Sequence, residues 1–337
     1  MVTALKPEQP TAFRPPRLLQ NGHVQSTLAS LKLRARWINH RARALTLNQS
    51  FIELDAGDDV TLTGWYSAAR DTGPLAILIH GWEGSAQSQY MLSTSAALFE
   101  RGYRVMRFQL RDHGESHHLN EGLFHSCRLD EAVGGVAEII RRFGNGEPVV
   151  LGGYSLGGNF SLRIGAAASR AGFQLAAIGA VCPVVVPRNT LDALEQTLSI
   201  YEMYFMRKWR RSLAKKRTHF PNTFTEDWIT ARASMRVLTA RLVAHYGYMD
   251  LDNYLDGYRI TGDRLAALAA PSRVLVAADD PIIPVADFDA LRAPGLSILR
   301  TEHGGHCGYI DSLTGPTFAD RFLVSWFDAH LEGRAAA

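Results

Sequence analysis

Apolar and polar residues alternate in blocks along most of the chain. Short apolar runs predict buried strands, and the stretches between them repeat apolar residues at helical spacing. The strands predicted in this way cover 74–80, 103–110, 147–153 and 175–186. The helices predicted among them cover 91–102, 130–144 and 156–172. Strands that alternate with helices predict an α/β protein with a mostly parallel, doubly wound sheet covered on both faces.

The alternation breaks in the middle of the chain and then resumes. Residues 188–267 are aromatic, charged and rich in helix-forming residues. After them, strands are predicted at 272–279 and 295–301, with helices near 285–292 and 316–331. Ligands bind at the carboxyl edge of a parallel sheet, and a helical insertion between strands is expected to cover that edge. We therefore predict a helical cap or lid inserted before the last two strands.

The same pattern divides the chain into parts. Residues 1–45 are rich in proline and arginine and predict an arm packed on the core. Two strands are predicted next, at 50–55 and 60–67. The "DAGDD" between them is typical of a turn. The predicted core covers 46–187 and 268–337, and the predicted cap or lid covers 188–267.

Composition narrows the class of protein. Hydrophobic residues make up 46% of the 337 residues, which supports a buried core, and the net charge of +3 is too small to indicate nucleic-acid binding. The three cysteines form no CxxC pair, which predicts a reducing compartment. The chain reaches prolines and charges before any apolar stretch and has no apolar run long enough to span a bilayer. We expect a cytoplasmic protein without a signal peptide; the oligomeric state is not predicted.

The first chemical motif follows the strand predicted at 147–153. Gly153-Tyr154-Ser155-Leu156-Gly157 fits the pattern G-x-S-x-G between a strand and a helix. Such a turn holds a serine in strained geometry with its hydroxyl exposed, and the glycines remove Cβ atoms that would collide. The helix N-terminus that follows favours a developing anion. Ser155 is the predicted nucleophile.

A second motif, "HGWEG" (80–84), lies at the end of another predicted core strand. Acyl transfer needs two N–H donors for the oxyanion: one after the nucleophile and one from a loop of this kind. The backbone N–H groups of Trp82 and Leu156 are the predicted donors.

The remaining members of a triad are predicted at two later strand ends. In "AADDPIIP" (277–284), Asp280 is the predicted acid and Asp279 the alternative. In "TEHGGHCGYI" (301–310), His306 is the predicted base and His303 the alternative. The order Ser, Asp, His fits this architecture and differs from the trypsin and subtilisin orders.

These motifs resemble the α/β-hydrolase superfamily. The segments "FRPPRLLQNGHVQSTLAS", "HGWEGSAQSQYM", "FHSCRLDE" and "EHGGHCGYI" are similar to its YheT-like branch, the AB hydrolase 4 family. The resemblance implies an α/β-hydrolase fold and a serine esterase or lipase with Ser155, Asp280 and His306 as the triad. The branch usually has "RG" where this chain has "RDHGES" (111–116), a segment that resembles monoglyceride-lipase-type hydrolases, so the substrate class stays open.

Two groups of residues have competing interpretations near these motifs. The histidines at 113, 117, 118 and 125 could suggest a metal site, but Gly114 interrupts a helix there, and a polar loop at the rim of the site is favoured. Cys307 could suggest a thiol nucleophile, but it lacks the strained turn, and a small buried residue is favoured. Neither a metal nor an organic cofactor is expected.

The segment "RKWRRSLAKKR" (207–217) contains seven basic residues and no acidic one. With the Met- and aromatic-rich 198–206 before it, it could contact an anionic membrane or hold an acyl chain. The alternative, which the residues favour, is an apolar face packed on the core and a solvated basic face.

Taken together, the residues predict a hydrolase of carboxylic esters, with a small-molecule or lipid ester as substrate and an acyl-enzyme on Ser155. An acyltransferase or thioesterase would use the same triad. A non-catalytic binding protein on this fold is a further alternative, although such a protein would be expected to lose a triad residue.

Overall fold

The computed structural model describes residues 13–230 and 232–332. Its centre is an eight-stranded sheet with the order β1-β2-β4-β3-β5-β6-β7-β8. The pairs β1–β2 and β2–β4 are antiparallel, and all other neighbours are parallel. The strands are β1 (Gln49–Asp55), β2 (Thr61–Ser67), β3 (Leu75–Ile79), β4 (Arg104–Gln109), β5 (Val149–Tyr154), β6 (Ala177–Val181), β7 (Ser272–Ala277) and β8 (Leu296–Thr301). The predicted α/β class and mostly parallel sheet are confirmed.

Helices cover both faces of the sheet. The described helices are α1 (Gly22–Ser30), α2 (Ala35–Arg41), α3 (Arg43–Leu47), α4 (Gln89–Glu100), α5 (Leu129–Phe143), α6 (Leu156–Ala167), α7 (Pro187–Gln196), α8 (Ser199–His219), α9 (Asp227–Thr230), α10 (Met235–His245), α11 (Leu251–Asp256) and α12 (Phe318–Glu332). Helices α4 and α12 bury apolar side chains on one face, and α5 and α6 on the other. Strand β3 contributes to both cores in alternation, with Ile77 on one side and Leu78 on the other, because successive side chains of a strand point to opposite faces.

Helices α7–α11 lie between β6 and β7, so all five precede the last two strands of the sheet. This segment, residues 182–271, is called the insertion below. The described part of the predicted arm forms α1, α2 and most of α3, and the buried Ile38, Ala42 and Leu45 pack it against the α4 side of the core. Residues 1–12 of that arm lie outside the described residues.

Some predicted elements end earlier in the structure. Strand β6 stops at Val181, well before the predicted residue 186, because Cys182 has a φ of 45° and Pro183 lacks a backbone N–H. The helix predicted near 285–292 is a 3₁₀ helix, Val285–Ala290, confined between Pro284 and Pro294. Among the described residues, no helix is both long and apolar enough to cross a membrane.

Candidate active site

The predicted nucleophile, Ser155, lies in a sharp turn between β5 and α6. Its backbone has φ 53° and ψ −120°, and its N–H donates to the Val181 carbonyl at 2.8 Å. Non-glycine residues rarely adopt such angles, so surrounding contacts must hold the turn. A Cβ on Gly153 would lie 2.2 Å from the Gly157 carbonyl oxygen, and one on Gly157 would lie 2.3 Å from the His80 carbonyl oxygen. Both glycines are therefore needed for the turn.

Three side chains form one hydrogen-bonded chain at this turn. His306 Nε2 lies 2.9 Å from Ser155 Oγ, and His306 Nδ1 lies 2.9 Å from Asp280 Oδ2. The Asp280 side chain has no exposed surface, and its Oδ1 accepts the N–H groups of Ile282 and Ile283 at 2.8 and 3.0 Å. When Nδ1–H donates to the carboxylate, Nε2 is left to accept the serine hydroxyl. The structure thus brings the three predicted residues together.

The two alternative residues, Asp279 and His303, face each other instead. His303 Nδ1 lies 3.7 Å from Asp279 Oδ2, and Asp279 Oδ1 accepts the Gly305 N–H at 2.8 Å. Burial raises the pKa of Asp279. Asp279 therefore contacts the backbone of the loop that carries His306, whereas Asp280 contacts the imidazole.

The "HGWEG" segment leaves β3 beside the Ser155 turn. A Cβ on Gly81 would lie 3.2 Å from Ser155 Cβ, so the two backbones approach closely. Within the described parts of the chain, neither the Trp82 N–H nor the Leu156 N–H has a protein acceptor. Leu156 is the first residue of α6, where N–H groups have no partner inside the helix. Both predicted donors are therefore available to a bound oxyanion.

Two buried histidines support this segment. His80 Nδ1 donates to the Gly81 carbonyl at 2.8 Å, and the Glu83 N–H donates to His113 Nε2 at 3.1 Å. The two rings lie 4.6 Å apart. Burial lowers the pKa of His80 well below its usual value and lowers that of His113 to about 4. Both rings are therefore neutral at pH 7 and fix the backbone around Trp82. Sequence reasoning gave neither histidine this role.

Helix α1 holds the loop that carries His306. The His306 N–H donates to Ser26 Oγ at 2.8 Å, and the Ser26 hydroxyl donates to the Gly22 carbonyl at 2.7 Å. Gln25 is fully buried; its Oε1 accepts the Ile310 N–H at 2.8 Å and its Nε2 donates to the Ile310 carbonyl at 2.9 Å. Residues 25–26 therefore meet residues 306–310 at the loop that carries His306.

Sequence reasoning gave Gln25 and Ser26 no role. The contacts join residues 280 and 285 positions apart, and no periodic pattern reports such a distance. The available signal was the stretch "NGHVQST" (21–27), which carries part of the YheT-like resemblance.

An apolar pocket lies beside Ser155 and His306. Its cavity volume is about 110 Å³, and the empty region around it, which includes open solvent, measures about 810 Å³. The insertion supplies most of its walls through α7, α8, α10 and α11. Trp82, which provides one of the free N–H groups, stacks on Phe205 of α8 with ring centroids 5.5 Å apart. Other apolar lining residues are Leu191, Leu194, Trp209 and Met235.

Three of the four histidines in 111–125 contact different partners. His113 serves the "HGWEG" segment, His117 Nε2 lies 2.8 Å from Ser212 Oγ, and His125 packs on the Tyr246 ring. These three side chains therefore have contacts that give each of them a structural role.

Cys182, His306 and Cys307 are the one group among the described residues whose donor atoms are close enough to share a metal ion. His306 already uses both ring nitrogens for Asp280 and Ser155. Burial raises the pKa of the Cys307 thiol well above its usual value. A neutral thiol is a poor nucleophile, and a metal ion bound to these three residues would have to displace a contact of His306 with Asp280 or Ser155.

The prediction of a polar loop at the rim of the site is wrong for most of 111–125, because most of these residues are buried beneath α8. Lys216 of α8 pairs with Asp112 at 2.8 Å, and the two side chains are 1% and 5% exposed. Burial raises the pKa of Asp112 and lowers that of Lys216, while each partner opposes the shift of the other. Phe124 and His125 at the end of the segment do line the pocket.

The basic residues of 207–217 lie in different environments. Arg207 and Arg211 are exposed, Lys208 donates from Nζ to the Glu83 carbonyl at 3.0 Å, and Lys216 is buried. The segment is therefore not one solvated face.

A serine turn on a parallel sheet, with an acid and a histidine from the following strand ends, defines the α/β-hydrolase class of protein. Residues 76–314 match the sequence model of the alpha/beta hydrolase family. The chain belongs to this family.

The curated relatives place it more narrowly. The chain is 26% identical over 340 residues to the protein named "Putative esterase YheT" of Escherichia coli K12, covering 96% of this chain and 95% of that protein. It is 26% identical over 285 residues to "Phospholipase ABHD3" of Mus musculus, covering 79% of this chain and 66% of that protein. The YheT-like resemblance is confirmed, and these relatives identify the chain as a hydrolase.

A solved structure agrees with the fold. The esterase Pf2001 of Pyrococcus furiosus superimposes with a TM-score of 0.53 at 15% identity, over 84% of this chain and 95% of that chain. At this identity the likeness supports the fold alone.

Proposed function

We propose that the protein is a serine hydrolase that cleaves carboxylic esters with hydrophobic acyl groups. The observation that carries the proposal is the hydrogen-bonded chain from Ser155 through His306 to Asp280, set in a strained turn beside two unbonded amides. The names of the relatives, an esterase and a phospholipase, support an ester as the substrate.

In the proposed reaction, Ser155 Oγ attacks the ester carbonyl carbon while its proton passes to His306 Nε2. Asp280 holds the other ring nitrogen and stabilises the imidazolium. The carbonyl oxygen becomes an oxyanion that accepts hydrogen bonds from the backbone N–H groups of Trp82 and Leu156. Collapse breaks the bond to the alkoxy group, which takes the proton from Nε2 and leaves as an alcohol. Water then gives a proton to His306 Nε2 and attacks the acyl carbon. The bond between the acyl carbon and Ser155 Oγ breaks, Oγ takes the proton from Nε2, and the acid is released.

Gln25 and Ser26 are positioning residues in this proposal. Neither contacts Ser155, but both bond the backbone of the loop around His306. A displacement of about 1 Å in a catalytic group can cost about two orders of magnitude in rate. The contacts of α1 would therefore support catalysis through the orientation of the imidazole.

The insertion is proposed to act as a cap that binds the acyl group. Its aromatic and aliphatic side chains line the pocket beside Ser155, and Trp82, Phe205 and Trp209 form an aromatic wall. Burying a methylene group contributes about 0.8 kcal/mol. Longer acyl chains should therefore bind more tightly until the pocket is full.

The test of the nucleophile is covalent labelling with a fluorophosphonate probe. We expect stoichiometric labelling that is lost in Ser155→Ala. The matched control is Ser161→Ala, because Ser161 lies on α6 in the same region and donates to the Gly157 carbonyl at 2.8 Å. Labelling that persists in Ser155→Ala would overturn the assignment.

The test of the substrate class is a series of p-nitrophenyl esters of rising chain length. We expect kcat/KM to rise from acetyl to octanoyl esters. A sharp preference for the acetyl ester would contradict the proposed acyl pocket. Analysis of products in the presence of alcohols distinguishes hydrolysis from acyl transfer.

A further inference from the structure

We propose that the outer face of α8 docks on the surface of an anionic phospholipid bilayer. The proposal rests on the proposed function, because docking would bring the pocket to lipid esters. The docking face is defined as Met203, Arg207 and Arg211 of α8, Arg232 of the adjacent segment, and the exposed Leu198 and Ile200 at the start of α8.

Helix α8 presents different residues to the pocket and to solvent. Phe205 and Trp209 are four positions apart and line the pocket. Met203, Arg207 and Arg211 are also four positions apart, but they line a separate groove on the outside of the insertion. Residues at this spacing share one face of a helix, and positions 203 and 205 are nearly opposite. One helix thus separates the proposed acyl pocket from the outer groove.

The outer groove combines apolar and cationic groups. Met203, Met206, Ala214 and Ile229 supply apolar surface, and Arg207, Arg210, Arg211 and Arg232 supply guanidinium groups. Glu202 also lines it, but its carboxylate accepts the N–H of Met235 at 2.8 Å. This combination fits an amphiphile with an anionic head.

Within the described part of the insertion, the arginines without an acidic partner lie at this groove. Elsewhere in the insertion, each arginine pairs with Asp or Glu: Arg188, Arg217, Arg236, Arg241, Arg259 and Arg264. Arg210 donates to the Ala233 carbonyl. Among the described residues, Arg207, Arg211 and Arg232 have no acidic group within salt-bridge distance, and all three are exposed. A guanidinium fork without a partner is suited to phosphate and carboxylate headgroups.

Large apolar side chains are exposed beside these arginines. Leu198, Ile200 and Met203, near the start of α8, are 55%, 56% and 62% exposed. Burial of such side chains at the lipid interface is favourable, and basic residues nearby add attraction to anionic lipids. Nucleic acid would leave this apolar surface in water. The chemistry therefore favours a bilayer with anionic headgroups as the partner.

The same end of α8 lies next to the triad. Tyr201 bonds His23 of α1, with Nδ1 and the hydroxyl oxygen 3.0 Å apart, and α1 holds the loop of His306. A bilayer bound at Leu198 and Ile200 would therefore lie close to the candidate active site.

The experiment is flotation of the full-length protein with vesicles of phosphatidylcholine alone and of phosphatidylcholine with phosphatidylserine. We expect binding to the anionic vesicles that weakens as salt is added. Each arginine at the surface contributes about a fivefold gain in binding, so Arg207→Gln/Arg211→Gln/Arg232→Gln should bind about 100-fold more weakly. Leu198→Ser/Ile200→Ser should also bind more weakly at high salt.

The matched control is Arg188→Gln/Arg217→Gln/Arg241→Gln, which removes the same charge from paired positions of the insertion. Its affinity for the anionic vesicles should be at least half that of wild type. Thermal unfolding checks that both triple variants fold. Three results would overturn the proposal. They are equal binding to neutral and anionic vesicles, an equal loss of vesicle binding in both triple variants, and binding to polyglutamate that is as tight as binding to anionic vesicles. Ser155→Ala should bind vesicles like wild type, so loss of esterase activity and loss of docking are separate outcomes.

Discussion

Replacing Ser26 by alanine is expected to slow the reaction at Ser155, although the two side chains do not touch. Ser26 is 5% exposed, and its hydroxyl accepts the His306 N–H at 2.8 Å. The alanine variant leaves that N–H without its acceptor, and an unsatisfied buried N–H costs about 1–3 kcal/mol. If the loop moves to relieve this cost, the imidazole moves with it. The expected loss in kcat/KM is then about 5-fold to about 150-fold.

The assay compares two readouts of Ser155 reactivity. We would measure kcat/KM with a p-nitrophenyl ester and the rate of fluorophosphonate labelling, and both should fall by a similar factor. Ser26→Thr keeps an acceptor oxygen and should recover most of the rate. The matched control is Ser30→Ala, because Ser30 lies on the same helix and donates to the Ser26 carbonyl at 3.3 Å without contacting the His306 loop.

The reasoning would be refuted if Ser26→Ala lost stability but kept its activity. Urea denaturation gives the free energy of unfolding of Ser26→Ala. If that value falls while kcat/KM and the labelling rate stay at the wild-type level, then α1 stabilises the fold and does not orient His306.

Three further predictions concern single side chains. Asp280→Asn should lower kcat/KM by about four orders of magnitude, as in other triads. Asp279→Asn keeps an acceptor for the His306 loop, so its kcat/KM in the same assay should stay within about tenfold of wild type. Lys216→Met leaves Asp112 buried without its partner and should lower the free energy of unfolding in urea by about 3–5 kcal/mol, an effect that Lys216→Met/Asp112→Asn should partly reverse. Burial raises the pKa of Glu83 from 4.5 to about 8. Between these values the folded state keeps a proton that the unfolded state has released, so stability falls as pH rises through this window. Glu83→Gln should remove this loss, and its melting temperature should exceed that of wild type more at pH 8 than at pH 5; an equal difference at both would contradict the raised pKa.

The approximate arrangement of the candidate site follows from the sequence because its parts are local to strand ends. Ser155, Asp280 and His306 each follow a core strand, and the carboxyl ends of parallel strands meet at one edge of the sheet. The G-x-S-x-G turn also carries its own steric requirement, since Cβ atoms at Gly153 and Gly157 would collide with backbone oxygens. Local motifs on a regular sheet therefore fix the approximate positions of distant residues.

Contacts between distant irregular segments were not predictable in this way. Asp279 and Asp280 are adjacent, and the residue that reaches the imidazole depends on the turn made by Pro281 and the residues after it. The buried state of Asp112 depends on Lys216, which arrives from 104 positions later on another helix. No sequence period relates such pairs, because their approach is set by how the insertion and α1 pack on the sheet.

The basic segment of α8 shows why charge alone was a poor guide to function. One of its cations, Lys216, is buried against Asp112, and Arg207 and Arg211 are left without acidic partners on the outer face. Breaking a buried ion pair costs about 3–5 kcal/mol, so the second half of α8 is anchored to the core. The first turn of the helix has no buried ion pair among the described residues and is held by hydrogen bonds instead, between Tyr201 and His23 and from the Met235 N–H to Glu202. If the insertion moves, the movement that breaks fewer buried contacts is therefore at the first turn of α8. The exposed apolar side chains of the proposed docking face also lie there.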